Sequence, residues 1–308
     1  MAYVQKDRSA RYITSALSPQ ICQYLDHNID HPRLILLKRS FYLVLGLLVS
    51  TSALATPKVY IFDCGTIGLA DVSSFGLTNA ETDVRELFVP CYVIEQDGKR
   101  LLWDAGLPLA MVGSVAQEGD GGMIITYEKS LLDQLGKMQL TPADIDFTSY
   151  SHFHFDHVGA ANFFPTSTLL INSKEYEAAF LHAEDNPVFD PSLYNKLLDT
   201  PRVLLDGEHD VFGDGSVLII PAPGHTPGHQ VLLIQLEKTG PIMLSGDLYH
   251  FEFSRLMRRT PVFNTDKGQT LDSMTAIEAR LESSGAKLWI EHSKALADSL
   301  KMAPFFYD

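Results

Sequence analysis

The densest chemistry in the chain lies in one short run, Ser151-His152-Phe153-His154-Phe155-Asp156-His157, which reads H-x-H-x-D-H. In an extended segment, residues two apart share a side, so His152 and His154 can address one metal ion together. The chain must then turn, and Asp156 and His157, emerging at the start of a helix, face a second ion. Imidazole and carboxylate donors without a thiolate suit zinc or a similar borderline divalent metal. Three more candidates recur at expected strand ends: His225 in Pro223-Gly-His-Thr-Pro-Gly-His229, Asp247 in Ser245-Gly-Asp, and His292 in Trp289-Ile-Glu-His. A carboxylate such as Asp247 can bridge two ions, the arrangement that generates a hydroxide nucleophile. A single buried histidine is usually a hydrogen-bonded core residue, but that reading does not account for five at these spacings. His229 is read as a supporting residue, and His182 and His209 as surface residues. Phe153, Phe155, Phe251 and Phe253 read as packing. Asp63 and Asp104 read as strand terminators, with support of nearby metal ligands as the alternative.

These residues need strand ends to carry them. Val59–Asp63 is apolar and β-branched, and Cys91–Glu95 pairs with Leu101–Asp104 across Gln96-Asp-Gly-Lys, a hairpin signal. Gly65 to Leu87 reads as a long loop, and Tyr127–Met138 has helical spacing. Strands are expected at Ile145–Ser151 and Thr168–Asn172 around a short helix at His157–Phe163, with helices at Lys174–Ala183 and Pro191–Leu198. The second half repeats this pattern, with strands at Val211–Ile220 (broken at Gly213), Gln230–Gln235, Ile242–Ser245 and Lys287–Glu291, and a helix at Thr270–Ser284. Two β-rich halves, each followed by helices, predict an α+β domain with two sheets packed face to face and helices outside.

The 308 residues carry 24 Lys and Arg against 38 Asp and Glu, a net −14. That balance excludes a phosphate-tracking nucleic-acid binder. Near the N-terminus, Lys38-Arg39, a short apolar core and Ala53-Leu54-Ala55 have the order of a secretory signal peptide. The apolar run is too short to span a bilayer comfortably. The expectation is cleavage before Thr56, removing residues 1–55 and leaving 56–308 as one exported domain, periplasmic or secreted, with no stable membrane association. Residues 1–55 hold six basic residues (Lys6, Arg8, Arg11, Arg33, Lys38, Arg39) and three acidic ones (Asp7, Asp26, Asp30), so their loss takes the net charge to −17. Such a field favours neutral or cationic ligands. Of three cysteines, Cys22 falls in the removed segment. Cys64 and Cys91 each sit beside an expected strand, as two buried thiols or as a bridge that export would permit.

H-x-H-x-D-H, then the G-H-T-P-G histidine, then S-G-D, then a last-strand histidine, in that order over residues 59–295, resembles the metallo-β-lactamase superfamily. Asp63-Cys-Gly, Trp103-Asp-Ala-Gly, Ser151-His-Phe-His-Phe-Asp-His and Thr226-Pro-Gly-His-Gln are similar to the N-acyl-homoserine lactonase group within it. The resemblance implies an αββα sandwich with two zinc ions between the sheet edges. One ion takes His152, His154 and His225, the other takes Asp156, His157 and His292, and Asp247 bridges. It also implies a lactone-opening hydrolase, with Asp156 as proton carrier and a small lactone or ester as substrate, and it leaves room for a homodimer. Lactonases of the group place a tyrosine three residues after the bridging aspartate, where its hydroxyl can bond the substrate carbonyl. Here that position is His250, with Tyr249 one residue earlier. Adjacent side chains of an extended segment point to opposite sides. His250 is therefore the expected substrate-facing group, Tyr249 takes its place only if the backbone bulges, and if neither faces the substrate the metal ions alone polarise the carbonyl.

Other hydrolases of the fold offer rival readings. An organophosphate triesterase would use the same metals. A β-lactamase usually has cysteine or serine where Asp247 stands. A glutathione-thioester hydrolase should offer more basic residues than Arg255, Arg258 and Arg259, and a diiron redox protein would have glutamate in place of His154. A non-catalytic lactone-binding protein would not need so complete a ligand set.

Overall fold

The structure, a computed structural model, describes residues 56–118 and 123–308, and these belong to one compact unit. The expected leader, residues 1–55, lies outside the described residues. Strands β1 (Lys58–Leu69), β2 (Glu86–Gln96), β3 (Lys99–Trp103), β4 (Ser114–Glu118), β5 (Met123–Tyr127), β6 (Phe147–Ser149), β7 (Thr168–Asn172) and β8 (Arg202–Leu205) form one mixed sheet in the order β4-β5-β1-β2-β3-β6-β7-β8. A second sheet is ordered β13-β12-β11-β10-β9, from β9 (His209–Asp210), β10 (Val217–Pro221), β11 (Gln230–Ile234), β12 (Ile242–Leu244) and β13 (Lys287–Trp289). The short β14 (Phe306–Tyr307) pairs with β1 in the first sheet.

Alternation along the strands builds three apolar layers, as a period of two requires. Val59 and Ile61 of β1, with Tyr92 and Ile94 of β2, pack against Val217 and Ile219 of β10 and Leu232 and Ile234 of β11 between the sheets. The opposite side of β1 and β2, with Phe62, Cys91 and Val93, is covered by Leu131 and Leu135 of helix α1 (Leu131–Lys137) and by Val158 of α2 (Phe155–Val158). The outer side of the second sheet, with Val231 and Leu233, takes Met274, Ile277 and Leu281 of the 18-residue α5 (Lys267–Ser284). The expected αββα sandwich is the observed one. The remaining helices are α3 (Ser173–Tyr176), α4 (Glu252–Met257) and α6 (Lys294–Ser299).

Several local expectations change. The segment from Gly65 to Leu87 is not all loop, because β1 continues to Leu69 after a register shift between Asp63 and Thr66. Two glycines in that stretch mask the strand pattern, and its pairing with β5 is a non-local contact. Tyr127 ends β5 rather than starting a helix; α1 begins after the Ser130 cap, whose side chain accepts the Asp133 N–H. Strands β4, β5 and β8 carried no legible signal. Cys64 and Cys91, left open by the sequence, are joined as a disulfide between β1 and β2, both fully buried.

Candidate metal centre

Strand direction gathers the site. β3 and β6 run parallel, as do β12 and β13, so the segments leaving their C-terminal ends emerge at one edge. Asp104 follows β3, the H-x-H-x-D-H run follows β6, Asp247 follows β12 and His292 follows β13. His225 lies in the turn between β10 and β11, where antiparallel β11 starts beside the end of β12. Each of the seven expected ligands is at most 7% exposed.

Their donor atoms form two groups with Asp247 between them. His152, His154, His225 and Asp247 make one; Asp156, His157 and His292 make the other, and Asp247 forms a further set with His250 and His292. In the first group, His225 Nε2 lies 3.2 Å from both His152 Nε2 and His154 Nδ1, and Asp247 Oδ2 is 3.1 Å from His225 Nε2 and 3.5 Å from His152 Nε2. The other carboxylate oxygen, Oδ1, faces His157 Nε2 at 3.2 Å and His292 Nε2 at 2.8 Å. Donors bonded to zinc at 2.0–2.1 Å sit roughly 3.4 Å from one another in a tetrahedron, so these separations suit an ion in each group. The buried His157 Nε2 and Asp247 Oδ1 find no well-directed hydrogen bond within the protein. A divalent cation in each group would satisfy both atoms.

For His157, His292 and His225 the opposite ring nitrogen is tied down, which fixes the ring and aims the other nitrogen inward. His157 Nδ1 pairs with Asp104 Oδ2 at 2.8 Å, and Asp104 also accepts the Ser151 N–H and hydroxyl. Asp104 thus supports a ligand as well as ending β3. His292 Nδ1 donates to the Phe88 carbonyl at 2.7 Å, and His225 Nδ1 to Asn264 Oδ1 at 2.8 Å. His229 supports, as expected: its Nδ1 donates to the Ala222 carbonyl and its Nε2 accepts the Asp247 N–H at 2.9 Å. That contact needs Gly246, whose φ is +46° and where a Cβ would stand 2.6 Å from His229 Nε2. The Asp63 carboxylate accepts the N–H of nearby Gly65, and its carbonyl the Gln134 amide, away from both donor groups.

Charge follows the same division. Burial, reinforced by neighbouring histidines, holds His152 and His154 well below the ordinary histidine range. Burial also opposes the charged forms of His157 and His292, but carboxylates prevail. Asp247, Asp104 and Asp156 hold His157 well above that range, and Asp247 and Asp156 push His292 up to about 9. Burial likewise works against ionised Asp247, yet His250, His292, His157 and His152 around it hold its carboxyl well below the usual carboxylate range.

His250 and Tyr249 take opposite sides. The backbone at Tyr249 is extended, φ −139° and ψ 129°, and the bulge that would turn the tyrosine inward does not form. Its hydroxyl donates to Glu278 Oε1 at 2.8 Å, away from the donor groups, beside the Arg255–Glu278 ion pair. Tyr249 is therefore removed from the site. His250 enters it, with Nε2 3.0 Å from Asp247 Oδ2 and its ring against Phe75. Both groups open on a cavity of about 560 Å³ walled by Ile67, Leu69, Phe75, Leu87, Met123, Phe155, Val188 and Phe263. Exposed Asp71 and Asp190 also border it. Phe155 is thus a wall residue, whereas Phe153 and Phe251 pack in the core and Phe253 against it. His182 is exposed and His209 half-buried in β9.

Sequence reasoning missed Asn264, Glu175 and Glu291. Glu291 Oε1 accepts the Gly246 N–H and the Trp103 indole N–H, and burial beside Asp104 pushes its carboxyl up to about 8. Adjacency to His292 was the only available signal for Glu291, and Asn264 and Glu175 stand in no motif.

Comparison with known proteins agrees with this geometry. Residues 84–281 match the metallo-beta-lactamase superfamily. The chain is 29% identical over 236 residues to the N-acyl homoserine lactonase AttM of Azorhizobium caulinodans, covering 72% of this chain and 88% of that protein. It is 32% identical over 199 residues to an N-acyl homoserine lactonase of a Bacillus species, covering 62% and 75%. Among solved structures, an N-acyl homoserine lactone hydrolase with N-hexanoyl-L-homoserine at its metal centre superposes with a TM-score of 0.70 at 24% identity, covering 82% of this chain and 99% of that one. AidC, a dizinc quorum-quenching lactonase, superposes with a TM-score of 0.61 at 22% identity, covering 83% and 95%. With the sandwich, the ordered ligand run and the match over most of the described residues in agreement, the chain belongs to the metallo-beta-lactamase superfamily.

Proposed function

We propose that the chain is an exported two-zinc hydrolase that opens the ring of N-acyl-homoserine lactones. The observation that carries this reading is the pair of buried donor groups sharing Asp247 at one wall of an apolar cavity. His152, His154 and His225 would hold one ion, Asp156, His157 and His292 the other, with Asp247 between them. Ions bound there would supply a nucleophilic hydroxide at neutral pH and Lewis acidity for the carbonyl. The chain's own groups do the rest. The apolar wall takes the acyl chain and keeps bulk water from the ring. His250, on the same cavity wall, offers a ring N–H to the carbonyl oxygen as negative charge develops on it. One oxygen of Asp156 takes the proton of the attacking water and returns it to the ring oxygen. Water is thereby added across the acyl–oxygen bond and the product is the open hydroxy acid. The lactonase relatives support this substrate class.

Export rests on the Lys38-Arg39, apolar and Ala53-Leu-Ala55 run, and the buried Cys64–Cys91 disulfide supports an oxidising compartment. The test is a substrate panel on metal-loaded protein, followed by pH-stat. Lactones should release one acid equivalent per turnover. Rapid cleavage of phosphotriesters or β-lactams with lactones untouched would overturn the reading.

A further inference from the structure

Glu175 lies outside both donor groups, on α3 directly after β7. Only 1% exposed, it meets no lysine or arginine in an ion pair among the described residues. Its two oxygens go to two different segments. Oε1 accepts the Phe153 N–H at 3.0 Å, and Oε2 accepts the Gly228 N–H at 2.8 Å. Phe153 stands between His152 and His154, in the segment leaving the first sheet; Gly228 is three residues past His225, in the turn entering the second. Those two segments supply all three imidazoles of one donor group. The contact is tight as well as bonded, since a Cβ on Gly228 would stand 2.3 Å from Glu175 N. A buried carboxylate is costly unless its acceptors are used, and here both oxygens are committed to backbone N–H groups on opposite sides.

We infer that Glu175 is the positioning residue that holds the His152–His154 segment and the His225 turn at the separation at which their imidazoles take one divalent ion. The inference rests on the metal-binding half of the function proposed above and is independent of the substrate. It follows that loss of the carboxylate weakens one metal site and spares the other. The group of Asp156, His157 and His292 is braced elsewhere, by Asp104 and the Phe88 carbonyl.

Glu175→Gln keeps the volume but turns an amide N–H₂ toward one of the two backbone donors. Metal-free full-length protein, wild type and Glu175→Gln, is titrated with Zn²⁺ by calorimetry and with Co²⁺ by visible absorption, with circular dichroism to verify the fold. The expected result is two sites in each protein, one of them weakened about 10–100-fold in the variant and the other unchanged, the size of effect usual when a residue behind metal ligands is lost. Unchanged affinity at both sites, or an equal loss at both, would overturn the inference while leaving the metal centre intact. A wild-type chain that takes up no metal would overturn the functional reading and this inference together. Amide hydrogen exchange on metal-free wild type decides the matter if the variant does not fold: Phe153 and Gly228 should be protected to a similar degree, and rapid exchange at either overturns the clamp.

Discussion

At the scale of single residues, His250 brings a further imidazole to the cavity wall, beside Asp247 and His292. Its imidazole faces the cavity while the Tyr249 hydroxyl is spent on Glu278. Loss of one donor to a developing oxyanion typically costs about 10²–10³ in rate, so His250→Phe should lower lactone turnover at least about tenfold with metal content unchanged. Tyr249→Phe should cost less, and steady-state kinetics with metal analysis decides the order. A pH effect follows from His157 and His292. Both are held above the ordinary histidine value, His292 up to about 9, so both carry protons at pH 7 in the metal-free protein. Metal binding needs their neutral forms. Zn²⁺ addition at pH 7 should therefore release protons, and the share that comes from His292 should fade as pH rises through about 9, where that imidazole loses its proton without metal. Calorimetry in buffers of different ionisation enthalpy measures this; no release at pH 7 would show that the carboxylates do not hold those protons.

Among the elements, β1 and β2 carry the most consequence. Their pairing runs from Lys58–Glu95 to Gly68–Glu86, interrupted by the shift beside Cys64, and the disulfide closes a separation of 27 residues at that irregularity. A crosslink of this kind usually stabilises by about 2–4 kcal/mol, mainly by restricting the unfolded chain. The double variant Cys64→Ser, Cys91→Ser should lose stability of that order in urea unfolding. The loss should appear chiefly in folding rather than in metal content, because no donor group lies on either strand. A variant as stable as wild type would show that the ladder alone suffices.

For the molecule as a whole, metal and compartment matter most. Six buried donor residues gather around Asp247, in sets that could each hold a metal ion. Ligands that bind only the native state stabilise by about 2.7 kcal/mol at a hundred times their dissociation constant. Zn²⁺ should raise the melting temperature, and chelation should lower it and abolish turnover together; activity that survives complete metal removal would contradict the two-ion reading. Export makes a separate prediction. Protein purified from the cell envelope or medium should begin at Thr56 on N-terminal sequencing, and mature material beginning at Met1 would contradict cleavage.

The donor cluster was legible in the linear chain because metal chemistry restricts residue type, and strand and turn periods restrict spacing. H-x-H-x-D-H, His225, Asp247 and His292 each announce themselves that way, and so did the two-layer sheet architecture, through alternating apolar runs. What stayed hidden depends on partners distant in sequence. Strands β4, β5 and β8 are strands because neighbours pair with them, and Cys64 meets Cys91 only across a β-ladder with a register shift. Asn264 and Glu175 acquire their roles when loops from separate elements converge on one edge. Between His250 and Tyr249, alternation restricted the choice to one inward side chain. The tertiary structure made the choice, because an extended backbone after Gly246 and a buried partner in Glu278 leave Tyr249 no path to the metal centre.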